Sequence, residues 1–253
     1  MKRPYVIIFS TITVDGRLAS ATGFSELSCH YDLTRLRLLR GAVEAVMIGA
    51  STALIDDPSL RKRLLPKTEK YYRVVVDGTL RVHKGLRLFR EPGPQVIVLT
   101  GSDNAEKIRQ LEKAGAKVHV VGKDGVVDMK EALRVLAEQY GIKSILVEGG
   151  GRLNYSLIAS RVVDEIRTTI TPYVFGAGTS FFHDPAMKGF PTTREGPQLK
   201  LQCVEKCPCG NCVHIGLKVL DTCCKPLLER SPIEYCLSEK LRKIINDKQK
   251  AQK

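Results

Sequence analysis

The chain has 253 residues, 43% hydrophobic and 26% charged, with no tryptophan and a formal net charge of +13. This length allows one large domain with a substantial core, and no apolar run approaches the ~18 residues of a membrane span. The basic residues are interspersed with acids and form no Lys/Arg block with aromatics, which argues against nucleic acid and suits phosphorylated small molecules. Val6–Phe9 is too short for the apolar region of a signal peptide, so a cytoplasmic protein is expected.

Apolar runs alternate with helical patterns along the chain. Tyr5–Ile12 reads as a strand. Ser28–Arg40 reads as a helix with Ser28 as its N-cap and Leu33, Leu36 and Leu39 along one face. Ala45–Ile48, Arg73–Asp77 and Gln95–Thr100 read as strands, Asn104–Ala114 as a helix stopped by Gly115, and Lys117–Val121 as a strand. Asp128–Tyr140 is a helix stopped by Gly141, Lys143–Val147 a strand, and Gly151–Ser160 a helix. This alternation predicts an α/β fold with a parallel sheet and helices on both faces.

Later the pattern changes. Asp164–Thr171 alternates with period two, and Lys200–Cys207 and Val213–Leu220 flank a short turn. These are expected to be antiparallel strands, including a hairpin, closing one edge of a mixed, mostly parallel sheet. A second change at Thr222 divides the chain into a body, 1–221, and a helical extension, 222–253. In the extension, Ser231, Pro232 and Glu234 form a capping-box pattern that predicts an amphipathic helix starting there.

The loops after strand ends carry the chemistry, because ligands bind along that rim of a parallel sheet. They read TVDGRLAS, GASTALIDDPSL, VDGTL, TGSDN and EGGGRLN. In the last, Gly149, Gly150 and Gly151 lead into a helix and offer bare amides to a phosphate or pyrophosphate. No Gly-Lys-Ser/Thr follows, so this is not a Walker loop. Glu148 would be repelled by pyrophosphate and is expected to face the amino groups of a nitrogenous ring. Asp56 and Asp57 are either metal-binding carboxylates or turn caps before Pro58, and Arg61, Lys62 and Arg63 either hold a substrate phosphate or form a solvated basic stretch.

Taken in order, TVDGRLA, LLRGAVEAVMIGASTALIDDPSL, RVVVDGTLRV and ILVEGGGRLNYSL…VVDEIRTTITPYVFG closely resemble the pyrimidine reductases of riboflavin biosynthesis. These are the stand-alone archaeal and fungal enzymes and the reductase half of the bacterial deaminase-reductase. The resemblance covers roughly residues 3–220. It implies a dihydrofolate-reductase-like fold, a homodimer, and NADPH-dependent reduction of the ribosylamino group of 2,5-diamino-6-(ribosylamino)-4(3H)-pyrimidinone 5′-phosphate, with NADH as the other cofactor to consider. Carried over by position, it implies cofactor contacts at Thr11, Thr52, Asp56, Gly78, Gly150, Gly151, Arg152, Leu153, Asn154, Tyr155 and Ser156. Substrate contacts fall on Ser25, Arg40, Leu60, Arg63 and Glu148, with Arg40 and Arg63 gripping the 5′-phosphate. Glu148 and Asp15 are the candidates, by position, for proton donation during ring opening. The resemblance assigns no metal to the site. Rival readings are a same-fold reductase acting on another pterin or pyrimidine, and a non-catalytic nucleotide- or RNA-binding protein.

Cys203, Cys207, Cys209, Cys212, Cys223 and Cys224 stand apart from the family pattern. Pro208-Cys209-x-x-Cys212 is half of a zinc-deaminase signature, but no histidine is followed two residues later by Glu, so a deaminase is not expected. Three states are open: a structural zinc site from Cys207, Cys209 and Cys212 with Cys223, Cys224 or His214, disulfides, or free thiols.

Overall fold

The computed structural model describes residues 2–61 and 70–251. Lys62 and Arg63 lie outside the described residues. In chain order the elements are β1 (Tyr5–Ile12), β2 (Arg17–Ala19), α1 (His30–Ala42), β3 (Ala45–Gly49), α2 (Ala50–Asp56), β4 (Tyr72–Val76), α3 (Arg87–Arg90), β5 (Val96–Thr100), α4 (Ala105–Lys113), β6 (Lys117–Val120), β7 (Gly122–Lys123) and β8 (Val126–Val127). There follow α5 (Met129–Tyr140), β9 (Ser144–Val147), α6 (Gly151–Ala159), β10 (Glu165–Ile170), β11 (Thr179–Ser180), β12 (Leu199–Lys206), β13 (Val213–Val219) and α7 (Ser238–Ala251).

Among the described residues the main sheet has nine strands in the order β12-β13-β10-β1-β9-β3-β4-β5-β6. From β10 to β6 all pairings are parallel; β13 runs antiparallel to β10 and β12 antiparallel to β13. The side-chain period of two splits each central strand between two cores. Val6 and Ile8 of β1 pack with Leu133 and Leu136 of α5 and Leu157 of α6. Tyr5, Ile7 and Phe9 pack on the opposite face with Leu39 of α1, Ala53 of α2 and Leu111 of α4. The expected α/β sheet with helices on both faces and a hairpin at its edge is therefore present.

Four readings are corrected. First, β10 runs antiparallel to β13 as expected but parallel to β1, and it is buried on both faces, so the apparent polar alternation of Asp164–Thr171 reflects buried, hydrogen-bonded polar groups rather than a solvated face. Second, α1 starts at His30 with Cys29 as its N-cap, because the Ser28 hydroxyl lies 3.0 Å from Thr11 Oγ1 instead of capping the helix. Third, the stretch after β3, read as loop, forms the seven-residue α2, whose small Ala50 and Ala53 let it sit close on the sheet.

Fourth, the capping box at Ser231 starts no helix. The Ser231 hydroxyl donates to the carbonyl of Ile233 at 2.8 Å, and Arg167 takes the carbonyls of Ile233 and Glu234 at 2.9 and 2.7 Å. Those acceptors are lost to a helical ladder. Cys236 is joined to Cys203 of β12 by a disulfide. The helix begins only at Ser238, where the Glu205 carboxylate accepts the amides of Leu237 and Ser238, both at 2.9 Å. Leu237 and Leu241 then pack on Leu38 of α1.

Candidate active site

The carboxyl ends of β9 and β3 continue their pairing beyond the strands. Glu148 N–H donates to the Met47 carbonyl and Gly49 N–H to the Gly149 carbonyl, both at 2.9 Å. This places Glu148 at the sheet's rim, where Arg40, in the last turn of α1, meets it with two bonds: Nε to Oε1 at 2.6 Å and Nη2 to Oε2 at 2.5 Å. Both side chains are largely buried. Burial works against the Arg40 charge, but the Glu148 carboxylate outweighs it and raises the Arg40 pKa above its usual value. The fork expected to grip a phosphate is here filled by Glu148. Tyr71 stands beside them, its hydroxyl donating to the Leu60 carbonyl at 3.1 Å, with its pKa raised by burial and then by Glu148. Tyr71 was missed in the sequence, where nothing separates it from any tyrosine before a strand.

The glycine turn lies next to this pair. Gly149 has φ +95, a left-handed conformation that suits glycine, and the Gly149–Gly150 peptide is cis. Gly150 caps α6 with no side-chain hydrogen bond, and Gly49 does the same for α2. A Cβ on Gly150 would lie 3.3 Å from Thr52 Oγ1, so the two helix starts are in contact. The first-turn amides of a helix have no intrahelical acceptor, and the helix dipole is positive there. Free amides of this kind suit an anionic group, and a side chain at Gly150 would crowd Thr52.

The run 151–156 does not face one ligand, because successive helical residues turn by 100°. Gly151 packs under the chain that crosses it: a Cβ there would lie 2.2 Å from the Ser180 carbonyl oxygen. Leu153 is in the core, and buried Asn154 donates to the Phe181 carbonyl at 3.0 Å. Tyr155 stacks on Phe190 at 5.7 Å, the Ser156 hydroxyl donates to the Arg152 carbonyl, and Arg152 is exposed. These residues offer the site backbone and packing rather than side chains.

The other candidates have structural partners of their own. A Cβ on Gly78 would lie 1.9 Å from the Gly125 carbonyl oxygen, so the β7–β8 hairpin explains that glycine. Leu60 is a buried core residue with φ +49. Asp56 is exposed at the end of α2, and Asp57 serves as a cap, accepting the Arg87 amide at 2.7 Å. Ser25 is exposed, next to Phe24, which meets Phe175 edge-on at 6.5 Å.

Asp15 is a turn residue. It accepts Thr13 Oγ1 at 2.6 Å and the amides of Phe175 and Gly176 at 3.1 and 2.8 Å. These bonds, led by that from Thr13, lower its pKa to about 2. The carboxylate is thus engaged by the turn that it closes.

Thr11 also turns inward. Its hydroxyl donates to the buried carboxylate of Asp32 at 2.6 Å, which accepts Thr169 Oγ1 at 2.5 Å, and Thr169 lies 2.6 Å from His214 Nδ1. This chain of polar groups joins β1, α1, β10 and β13 across the sheet. Beyond the ends of β4 and β5, a cleft of about 460 Å³ is lined by Leu80, Arg81, His83, Lys84, Lys107 and Leu111 among others. The sequence reading passed over its basic side chains because they are scattered over 27 positions of a uniformly basic chain.

Comparison with known proteins adds the family. A model of the RibD C-terminal domain matches residues 4–215. The 2,5-diamino-6-ribosylamino-4(3H)-pyrimidinone 5′-phosphate reductase of Methanothermobacter thermautotrophicus is 37% identical over 179 residues, 69% of this chain and 80% of that protein. The Aquifex aeolicus protein of the same name is 36% identical over 182 residues, 70% and 80% of the two chains. Acinetobacter baumannii RibD superposes with a TM-score of 0.71 at 22% identity; the match takes in 86% of this chain but only 58% of that one, and establishes the shared fold. The chain belongs to the RibD C-terminal domain family.

Proposed function

We propose that the protein reduces the ribosylamino group of 2,5-diamino-6-(ribosylamino)-4(3H)-pyrimidinone 5′-phosphate to the ribitylamino group with NADPH, in riboflavin biosynthesis. The observation that carries this reading is the contact between two uncapped, glycine-started helix ends and the Arg40–Glu148 pair at one rim of the sheet. The relatives named for this reaction share the chain's length over most of their own. Nothing favours a non-catalytic nucleotide-binding protein.

Gly150, the first-turn amides of α6 and Thr52 hold the cofactor's diphosphate in this reading. When bound, the nicotinamide supplies a hydride for C1′ of the ring-opened sugar. Glu148 orients the pyrimidine by accepting from its amino groups, and Arg40 fixes the carboxylate in one rotamer so that little orientation is lost on binding. Arg61 and Arg63 are left to attract the 5′-phosphate. Arg61 is half-buried and bonded to Glu91 at 3.1 Å, an exchangeable ion pair. Preference for NADPH over NADH rests on Arg81, Lys84 and Lys107 around the cleft beyond β4 and β5, which suit a 2′-phosphate.

The reductase unit is residues 1–221, with 222–253 as an extension strapped on by Cys203–Cys236. Leu199, Leu201, Val204 and Val213 are exposed at the hairpin edge, which suits a homodimer. Among the described residues no helix is long and apolar enough to cross a membrane, in keeping with a cytoplasmic enzyme.

The test is oxidation of reduced nicotinamide followed by absorbance, with the ribosylamine phosphate and each cofactor in turn. Turnover with NADPH and weaker turnover with NADH is expected, with the preference reduced in Lys84→Ala and Lys107→Ala. Binding of neither cofactor by calorimetry refutes the reading.

A further inference from the structure

The reductase reading makes no use of four cysteines that the fold gathers from distant parts of the chain. Cys29 precedes α1; Cys207, Cys209 and Cys212 line the turn between β12 and β13. Cys29 Sγ lies 3.7 Å from Cys207 Sγ, across 178 positions of sequence. The sulfurs of Cys29, Cys209 and Cys212 all lie within 4.8 Å of one another. Cys207 stands outside that trio and joins it through its contact with Cys29. We propose that Cys29, Cys207, Cys209 and Cys212 form a tetrathiolate site for a structural zinc ion.

Distances, backbone and burial each support the assignment. Four sulfurs at ~2.3 Å from one zinc ion sit about 3.8 Å apart on the edges of a tetrahedron. A disulfide needs about 2.05 Å, well short of the 3.7 Å separating Cys29 and Cys207. The turn itself is wound around its sulfurs. Gly210 has φ +89, the Cys207 amide donates to the Cys212 carbonyl at 2.8 Å, and the Gly210 amide to the Cys207 carbonyl at 2.9 Å. Cys207 and Cys212 are buried, while Cys29 and Cys209 are half-buried, leaving a path for the ion.

Soft sulfur donors in a closed set of four select zinc over magnesium or calcium. Cys223 and Cys224 are excluded: they contact each other at 3.0 Å, with Cys223 Sγ facing the Ser160 carbonyl. His214 is excluded as the fourth ligand by the presence of Cys29. Zinc here would pin the start of α1 to the hairpin, whose outer strand β12 buries little apolar surface of its own. The far end of the same helix holds Arg40 against Glu148, so the ion anchors the helix that positions the site.

Full-length protein from zinc-supplemented cells, purified without chelator, should carry one zinc per chain by mass spectrometry of the elements. An organomercurial should release that zinc as the four ligand thiols react, distinct from Cys223 and Cys224. Exchange into cobalt should give the intense thiolate-to-cobalt charge-transfer bands of a tetrahedral site. Cys29→Ser should lose most of the metal and weaken those bands, while Cys223→Ser keeps full stoichiometry. If Cys29→Ser fails to fold, the mercurial titration of the native chain still decides. Metal-free protein with four alkylatable thiols, disulfides mapped among these four cysteines in anaerobically prepared protein, or iron in place of zinc would each overturn the proposal.

Discussion

The centre of the sheet and its hairpin edge are held by different physics. In the centre, Ile7 and Ile8 of β1, Val46 and Met47 of β3, and Leu146 and Val147 of β9 are fully buried, and their contacts close two cores. At the edge, β12 leaves Leu199, Leu201 and Val204 in solvent and buries Cys203. What holds the edge is specific. Cys203 is bonded to Cys236, Arg35 pairs with Glu205 at 3.0 Å, Glu205 caps α7, and Arg167 collects tail carbonyls. Hydrophobic burial is non-directional and tolerant, whereas bonds of this kind depend on a few atoms. Mutations should therefore act differently in the two regions.

The widest contrast is between two leucines. Leu146→Ala leaves a cavity between strands and should cost about 2–5 kcal/mol. Leu201→Ala, on the exposed edge, should stay within about 0.5 kcal/mol in the monomer. Urea unfolding of both variants measures the difference; equal losses would mean the edge is packed in an assembly.

Breaking the strap comes next. The disulfide spans a sequence separation of 33, for which chain entropy sets a loss of about 3–4 kcal/mol in Cys236→Ser. Hydrogen exchange should rise in residues 231–247 while the central strands stay protected. Uniform loss of protection would show that the tail and the centre unfold as one unit.

At the site, Glu148→Gln should lower kcat about 100-fold through lost orientation and leave cofactor affinity unchanged. Unchanged turnover would remove Glu148 from the reaction. Arg40→Lys, which loses the two-pronged grip, should show a smaller loss in the same direction.

The smallest effect concerns pH. The folded state lowers the Asp15 pKa to about 2, against about 3.9 in the unfolded chain. Its contribution to stability is therefore fully present above about pH 4 and is lost as pH falls through about 2. The Tm difference between wild type and Asp15→Asn should be constant near neutrality and shrink only in that acid window. The rate profile should show no limb from Asp15 near neutral pH.

Legibility in the sequence followed locality. Glu148 next to the glycine turn could be read because residues adjacent in sequence are adjacent at a strand end. Its partner Arg40 was also named, but as a phosphate grip, because an ion pair spanning 108 positions leaves no local mark. Cys29 was missed for the same reason, being 178 positions from Cys207. Ser231, Pro232 and Glu234 carried a genuine local signal, which tertiary contacts to Arg167 and Cys203 overrode.

What the chain by itself determined is the layered α/β core, the hairpin at its edge and the family to which its loops belong, since apolar periodicity and turn chemistry act over a few residues. Only the tertiary structure decided which charges meet, which glycines make room for backbone, and which cysteines face one another. Those outcomes depend on distances between segments that sequence spacing does not encode.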